Sequence, residues 1–331
     1  MVDINKILEQ ALKKDASDIH LMVESKPMYR IGNSLVKMEG ATALQNEDMN
    51  SIYKHFTKGN MVYELNGINV DVNLSYSNQK PVYTMKILKN KLPEYDELGL
   101  PEVLRKMTHQ EQGLILVVGN KKSGKTTTLN ALVRNINETQ NKKIITLEKT
   151  IEYTHISRNS IIVQKQVGTD FENYAQGVKN ALKEDCDVLI VEDIRNRETM
   201  EAVLEFVEEG HLVIAGVNSN SCNNAIEKIE NFYNLNDQAQ IKYALSTLLK
   251  IIISQKLILG AKGDLEMITE VIVPNAPKQN ISLIKSLAKL YVQNKITLKQ
   301  AKSQIQEKDV DILNNTIMKM RVKGTGSFFT P

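Results

Sequence analysis

Cysteine is nearly missing from this chain. Only Cys186 and Cys222 occur in 331 residues, and they form no CxxC pair. A disulfide framework and a zinc knuckle are therefore excluded as organising devices, and a reducing cytoplasm suits the chain. Net charge is almost lacking too: 42 basic residues against 39 acidic ones leave +3. With no basic stretch interleaved with aromatic residues, a nucleic-acid partner or a nucleic-acid motor is not expected. Long apolar runs are also absent. The run Leu248-Leu249-Lys250-Ile251-Ile252-Ile253 is far shorter than the ~20 residues of a membrane span. Residues 1–18 carry charge throughout and have no apolar core of a signal peptide. Export is not expected, and any membrane contact has to go through a partner. No internal repeat or low-complexity block is visible.

What is present is an ordinary soluble composition, 42% hydrophobic and 24% charged, long enough for two domains with cores of their own. Ile4, Ile7, Leu8, Ala11 and Leu12 recur at helical spacing, and Asp15 to Leu21 reads as a turn into a short strand. Pro27–Ile31 and Ser34–Met38 flank Gly32-Asn33, while Met61–Leu65 and Ile68–Leu74 flank Asn66-Gly67, a strong hairpin signal. The first part is expected to be α+β with an antiparallel sheet. Alternation stops near Leu88–Tyr95, where a proline and polar residues suggest a linker. Expected boundaries are 1–92, 93–275 and 276–331.

After the linker the pattern changes. Strands at 114–118, 143–147, 187–191 and 211–217 alternate with helices near 125–138, 171–184 and 198–209, which predicts a parallel sheet covered by helices. From Leu283 onward, Leu287, Leu290 and Tyr291 fall at helical spacing, so the tail is expected to be a small helical bundle. Its last residues, 323–331, are aperiodic and expected to fray.

The stretch Gly119-Asn-Lys-Lys-Ser123-Gly124-Lys125-Thr126-Thr127 satisfies GxxxxGK[ST] between a predicted strand and a predicted helix, the context the phosphate loop needs. Its glycines let successive N–H groups point inward, and the helix N-terminus adds positive potential for phosphate oxygens. Lys125 would reach the β- and γ-phosphates and Thr126 would hold Mg²⁺. Lys121 and Lys122 are either solvated surface or added phosphate attraction. The strand Asp187–Val191 ends in Glu192 and Asp193, as a Walker B segment should. One carboxylate at that tip is sufficient for Mg²⁺, and if the strand continues only one of the two can face the phosphate site. Glu148, at the end of another strand, would order or deprotonate the attacking water, or else is an exposed acid beside Lys149.

Together with Ala16–His20, Glu97–Val103, Ala181–Asp185 and Glu209-Gly-His211-Leu-Val213, these motifs resemble the secretion-type hexameric ATPases. Within them the chain is most similar to the retraction-type, PilT-like ATPases of type IV pili, in order from about residue 4 to residue 310. The resemblance implies a PAS-like N-terminal domain and a RecA-like P-loop ATPase core. It further implies a ring of six with ATP and Mg²⁺ between neighbours, and pilus disassembly and twitching motility driven through a membrane platform protein. Such a subunit would be cytoplasmic, recruited to the inner face of the membrane. Extension and type II relatives usually add an N-terminal domain and a four-cysteine zinc insertion, and neither is seen here, which favours the retraction branch. Glu148 then matches the acid of the Asp-box. His211 matches the histidine after the Walker B helix, although a histidine there also packs as an ordinary helix-to-strand residue.

Five places depart from the family pattern. Asp193 stands for the Walker B glutamate, with Glu192 for the preceding glycine, and the shorter side chain draws back from a water it must approach within about 3 Å. Asn218 stands for a γ-phosphate-sensing histidine, and an amide cannot become cationic. The Asp-box reads Glu148-Lys149-Thr150-Ile151-Glu152, so an acid has become Lys149. Two arginines aimed at a neighbour's γ-phosphate fall on Asp71 and Lys86. The platform-coupling segment reads Ala276-Pro-Lys-Gln-Asn280. Two functions therefore stay open: an ATP-hydrolysing pilus motor, and a weakly hydrolysing paralogue that regulates or completes a ring shared with another pilus ATPase.

Overall fold

The computed structural model describes residues 3–31, 34–56, 61–65, 68–87 and 92–325. The expected turns at Gly32-Asn33 and Asn66-Gly67, the stretch 88–91 of the expected linker and residues 326–331 lie outside them. The chain divides into two compact units: residues 1–92 with 150–154, and residues 93–149 with 155–331.

The first unit is one antiparallel sheet with two helices. In chain order it has α1 (Ile4–Lys13), β1 (Asp18–Met22), β2 (Met28–Ile31), β3 (Ser34–Lys37), α2 (Asn46–His55), β4 (Met61–Leu65), β5 (Ile68–Ser77) and β6 (Lys80–Ile87). The strand order is β3-β2-β1-β6-β5-β4. Asp3 caps α1 by accepting from the Asn5 N–H, and the helix then buries Ile4, Ile7, Leu8 and Ala11 at the spacing of one face. They join a core with Ile19 and Leu21 of β1, Val70 and Val72 of β5, and Tyr83 and Met85 of β6, each pair two residues apart on one side of a pleated strand. Phe56, just after α2, meets Tyr63 edge-on, with centroids 5.3 Å apart. Burial, helped by Tyr76 and Tyr53, pushes the Tyr83 phenol up to about 12.

The second unit begins with α3 (Glu102–Met107) and β7 (Gly113–Val118), and continues with α4 (Lys125–Thr139), β8 (Lys143–Glu148), β9 (Ile161–Gln166), α5 (Tyr174–Leu182) and β10 (Val188–Val191). Then come α6 (Arg197–Glu208), β11 (Leu212–Val217), α7 (Cys222–Glu230), α8 (Gln238–Leu248), β12 (Leu249–Leu259) and β13 (Leu265–Ile272). The sheet order is β13-β12-β7-β11-β10-β8-β9. Every pairing is parallel except that of β12 with β13, which form a hairpin at one edge. The central strands are buried on both faces, as parallel strands flanked by helices must be. Ile115 and Val117 of β7 pack with Leu129, Leu132, Val133 and Ile136 of α4. Leu114, Leu116 and Val118 point the other way, into a core shared with Val178, Met200, Val203, Phe206 and Ile241 of α5, α6 and α8. Both thiols, Cys186 and Cys222, are free and buried.

Three further helices, α9 (Leu283–Val292), α10 (Leu298–Lys302) and α11 (Val310–Thr325), follow the hairpin. Leu287, Leu290, Leu313 and Ile317 cover Ile258 and Ile268 on the hairpin. The segment Leu248–Ile253 is thus the end of α8 and the start of β12. Among the described residues no helix is long and apolar enough to cross a membrane.

One glycine is fixed by close approach. A Cβ on Gly216 of β11 would lie 2.0 Å from the carbonyl oxygen of Glu192, and the Ile194 N–H donates to the Gly216 oxygen at 2.8 Å. The turn after β10 therefore rests directly on β11 backbone. Gly216→Ala has to push backbone against backbone, and a loss of about 1–3 kcal/mol in unfolding free energy is expected. A urea titration checks this: an unchanged midpoint would show that the turn is free to move.

Candidate nucleotide-binding site

The site assembles where the parallel strands end. β7 delivers the chain to Gly119, whose N–H donates to the Val217 oxygen at 3.2 Å. A Cβ on Gly119 would stand 2.2 Å from Ser123 Oγ and 2.8 Å from the Gln255 oxygen, so only glycine fits. Gly124 has φ +88° and Lys122 φ +67°, left-handed backbone that turns successive N–H groups towards one side. Gly124 is also the N-cap of α4 and supplies no side-chain cap. By contrast, Asn173, Asn196, Ser221 and Ser282 cap α5, α6, α7 and α9 with their side chains. The first N–H groups of α4 are thus left for an anion, the usual arrangement for phosphate at a helix start.

Lys125 Nζ donates to the Gly119 oxygen at 2.5 Å and to the Asn120 oxygen at 3.2 Å. Burial lowers its pKa. The charges of Asp193 and then Glu192 pull the other way, and those of Lys228 and Arg195 lower it further. All four charged groups therefore lie within electrostatic reach of Lys125. Beside it, Ser123 is buried, and Thr126 and Thr127 are half-buried. Gln255 of β12 donates from Nε2 to the Ser123 oxygen at 2.9 Å and props the loop from beneath.

β10 stops at Val191, so strict alternation does not govern Glu192 and Asp193. Asp193 is 13% exposed, and its Oδ2 accepts from Arg195 Nε at 2.6 Å. Its Oδ1 is buried with no hydrogen-bond partner among the described residues. Glu192 accepts from the Lys149 N–H and from the Tyr174 hydroxyl, the latter at 3.4 Å. Glu148, at the end of β8, is 4% exposed, so it is not a surface acid beside Lys149. Its Oε1 accepts from Thr146 Oγ1 at 2.6 Å and Gln164 Nε2 at 3.0 Å. Thr126, Asn130, Thr146, Glu148 and Glu192 line one narrow cavity of about 10 Å³.

Mg²⁺ wants hard oxygen ligands and keeps several waters, so it is usually held by one or two protein groups together with substrate phosphates. The Thr126 hydroxyl and the orphaned, buried Asp193 Oδ1 fit that demand. Among the described residues no cluster of three His, Cys, Asp or Glu side chains is arranged to hold a metal unaided.

His211 lies apart from the loop. It precedes the first rung of the β7–β11 ladder, Gly113 with Leu212, whereas Gly119 follows the last, Val118 with Val217. Six rungs at ~3.3 Å each put it ~20 Å from the loop of its own chain. There its ring packs on Phe206 with centroids 4.9 Å apart, and its carbonyl accepts from the Gly113 N–H at 3.1 Å. At that distance His211 does not reach nucleotide held by the loop of its own chain. Asn218, by contrast, follows β11 at the loop end, and its carbonyl accepts from Lys228 Nζ at 2.8 Å.

Lys228, Arg195, Gln255 and His155 were not found in the sequence. Gln255 is brought to the loop by the register of β12 on β7, Arg195 by the turn after β10 and Lys228 by α7, whereas Asn130 and Asn137, buried polar residues of α4, are a signal the sequence did carry.

In the first unit, Lys86 faces Asp71 across the β5–β6 ladder and Asp18 across the β1–β6 ladder. Burial works against its charge, but a 2.6 Å bond to Glu152 and the charges of Glu152, Asp71 and Asp18 outweigh it and raise the pKa. Lys86 and Asp71 thus face each other across the ladder with opposite charges.

The fold and the loop define a P-loop nucleotide-binding protein with a RecA-like core. Residues 58–315 match the family model of the type II/IV secretion system proteins, and the chain belongs to that family. It is 27% identical over 302 residues to the type IV pilus retraction ATPase PilT of Pseudomonas aeruginosa, a match spanning 88% of each chain. It is 28% identical over 269 residues to the type IV pilus ATPase PilU of the same organism, covering 78% of this chain and 70% of that one. A solved structure of the pilus retraction motor PilT with bound ADP superposes with a TM-score of 0.85 at 29% identity, over 94% of this chain and 99% of that one.

His155 yields a pH test. Burial, and then the charge of Arg134, push its imidazole down to about 4 from an ordinary 6.5. Between those values the unfolded chain binds a proton that the folded chain does not, so stability is full above pH 6.5 and is lost as pH falls towards 4. The loss should reach about 2–3 kcal/mol. His155→Gln should flatten that part of the unfolding free energy measured by urea titration at stepped pH, and an equally steep profile in the variant would place the titration elsewhere.

Proposed function

We propose that the chain binds ATP with Mg²⁺ and hydrolyses it slowly, as a subunit of a pilus motor of the retraction type. What carries this reading is the single sheet edge that holds a glycine-shaped phosphate loop, Lys125, and the carboxylates Glu148, Glu192 and Asp193. Family membership and the likeness to PilT support the motor role. The loop N–H groups and the start of α4 hold the phosphates, and Lys125 leaves the loop carbonyls to meet the β- and γ-oxygens. Thr126 and Asp193 hold Mg²⁺, which when bound supplies neutralising charge to the phosphates. Glu148, fixed by Thr146 and Gln164, orients the water for in-line attack on the γ-phosphate. The assembly we propose is a ring, six subunits by analogy with the family, working against a membrane platform protein at the inner face of the membrane.

A second reading, a weakly hydrolysing subunit that regulates or completes a ring with another pilus ATPase, is favoured by Lys86. That cation is engaged with Glu152 and faces Asp71. Loss of an arginine finger costs ~10³ or more in rate. The similarity to PilU is compatible with this reading.

Mg²⁺-dependent phosphate release at saturating ATP separates the two. Turnover clearly above a Lys125→Ala blank makes the chain a motor subunit; nucleotide binding without turnover makes it the partner type. Lys125→Ala itself should weaken ATP binding by about 10- to 100-fold, the worth of a charge-assisted hydrogen bond or two. Asp193→Glu restores the family side chain and should raise turnover several-fold. An unchanged rate in that variant would remove Asp193 from the metal and water site.

A further inference from the structure

On the way from β8 to β9, residues 155–159 run along α4 as a strap, and two buried asparagines of α4 receive it. Asn137, 3% exposed, donates from Nδ2 to the Ile156 oxygen at 2.9 Å and accepts from the Arg158 N–H at 2.9 Å. Asn130, 4% exposed and two turns earlier, has its Oδ1 2.6 Å from Nε2 of His155 and donates from Nδ2 to the Thr126 oxygen at 2.9 Å. Since the amide nitrogen of Asn130 is committed to Thr126, its oxygen accepts, and Nε2 of His155 carries the proton. The same residue reaches the other way: its backbone N–H donates to Gln164 Oε1 at 2.8 Å, and Gln164 Nε2 donates to Glu148 Oε1 at 3.0 Å.

A continuous hydrogen-bonded chain therefore runs from Thr126 through Asn130, His155 and Gln164 to Glu148. Its two ends line the same 10 Å³ cavity. We propose that His155 is a positioning residue that holds the metal-binding threonine of the phosphate loop and the water-orienting Glu148 at one fixed spacing. Asn137 secures the same strap but reaches no member of the site, so it anchors without positioning. A neutral imidazole suits the task, because burial and the cation Arg134 both disfavour a charge there. Groups that orient metal ligands from behind typically contribute 10–100-fold to metal affinity or activity.

This inference rests on the Mg²⁺-nucleotide reading of the site, and its test needs no turnover. The affinity of the full chain for a non-hydrolysable ATP analogue is measured with Mg²⁺ and with EDTA, for the wild-type protein, His155→Ala, His155→Gln and Asn137→Ala, beside thermal melts without nucleotide. In the wild-type chain Mg²⁺ should tighten binding. In His155→Ala that increment should fall about tenfold or more, with metal-free affinity within about twofold of wild type. His155→Gln, which keeps an N–H donor, should recover most of the increment, and Asn137→Ala should melt earlier with the increment intact. The proposal is overturned if His155→Ala keeps the full increment, if it loses metal-free binding equally, if Asn137→Ala loses the increment as much, or if the wild type shows none. Absence of any nucleotide binding by the wild-type chain would instead overturn the reading of the site itself.

Discussion

Parallel pairing of β8, β10, β11 and β7 is the constraint on which the rest depends. Strands that run the same way end on the same side, so residues far apart in sequence are delivered to one edge: the loop after β7, Glu148 after β8, Glu192 and Asp193 after β10, Asn218 after β11. The apolar residues enforce the arrangement. Each central strand is buried on both faces, and sliding one by a residue would exchange its two sets of contacts, Ile115 and Val117 for Leu114, Leu116 and Val118. The rule that gathers the phosphate-binding groups also sends His211 to the far edge, since it opens β11 and does not close it.

At that edge the electrostatics are balanced rather than uniformly positive. Burial alone disfavours the charge on Lys125, and two carboxylates restore part of it while Arg195 and Lys228 take part away. The loop glycines and the uncapped start of α4 supply positive potential that cannot titrate, so phosphate binding does not hang on one ammonium. Asp193 sits at the junction of both effects, one oxygen bonded to Arg195 and the other buried without a partner among the described residues. A buried acceptor left in that way is costly unless something completes it, and Mg²⁺ on the phosphates would do so.

Much of this was legible in the sequence because it depends on local pattern. The phosphate loop needs glycine at two places for reasons that operate within a few residues, and the strands around it announce themselves as unbroken apolar runs. The antiparallel sheet of the first unit was readable from its paired strands. Elements without such a pattern were missed. β9, Ile161–Gln166, is half polar and lies on the sheet edge. The run Leu248–Ile253 straddles α8 and β12, so no single period marks it, and the hairpin that it opens with β13 gives the otherwise parallel sheet its antiparallel edge. Gln255, Lys228 and Arg195 acquire meaning only from the fold, through the register of β12 on β7, helix α7 and the turn after β10. Asn130 and Asn137 were different: two asparagines seven apart on the buried side of a helix are a polar stripe where apolar residues would serve packing better, and such a stripe asks for partners.

Holding nucleotide and cleaving it draw on different parts of this chain, and the departures fall unevenly between them. Gly119 and Gly124 stand in a geometry that tolerates little else, and with Lys125 and Thr126 they complete the GxxxxGK[ST] pattern. On the function proposed above, the departures concern groups that would act on the reacting oxygens. Asp71 and Lys86, where the resemblance would place two arginines, face each other across a ladder with their charges opposed. A rate factor of ~10³ corresponds to about 4 kcal/mol of transition-state stabilisation, and such a term can vanish without weakening the ground-state grip on ATP, because it is expressed only as charge develops on the γ-phosphate. A ring subunit of this composition would still respond to nucleotide in its loop. Its chemistry would then be limited by whatever cation reaches the γ-phosphate, and at this sheet edge Arg195 and Lys228 are the cations within electrostatic reach of Lys125.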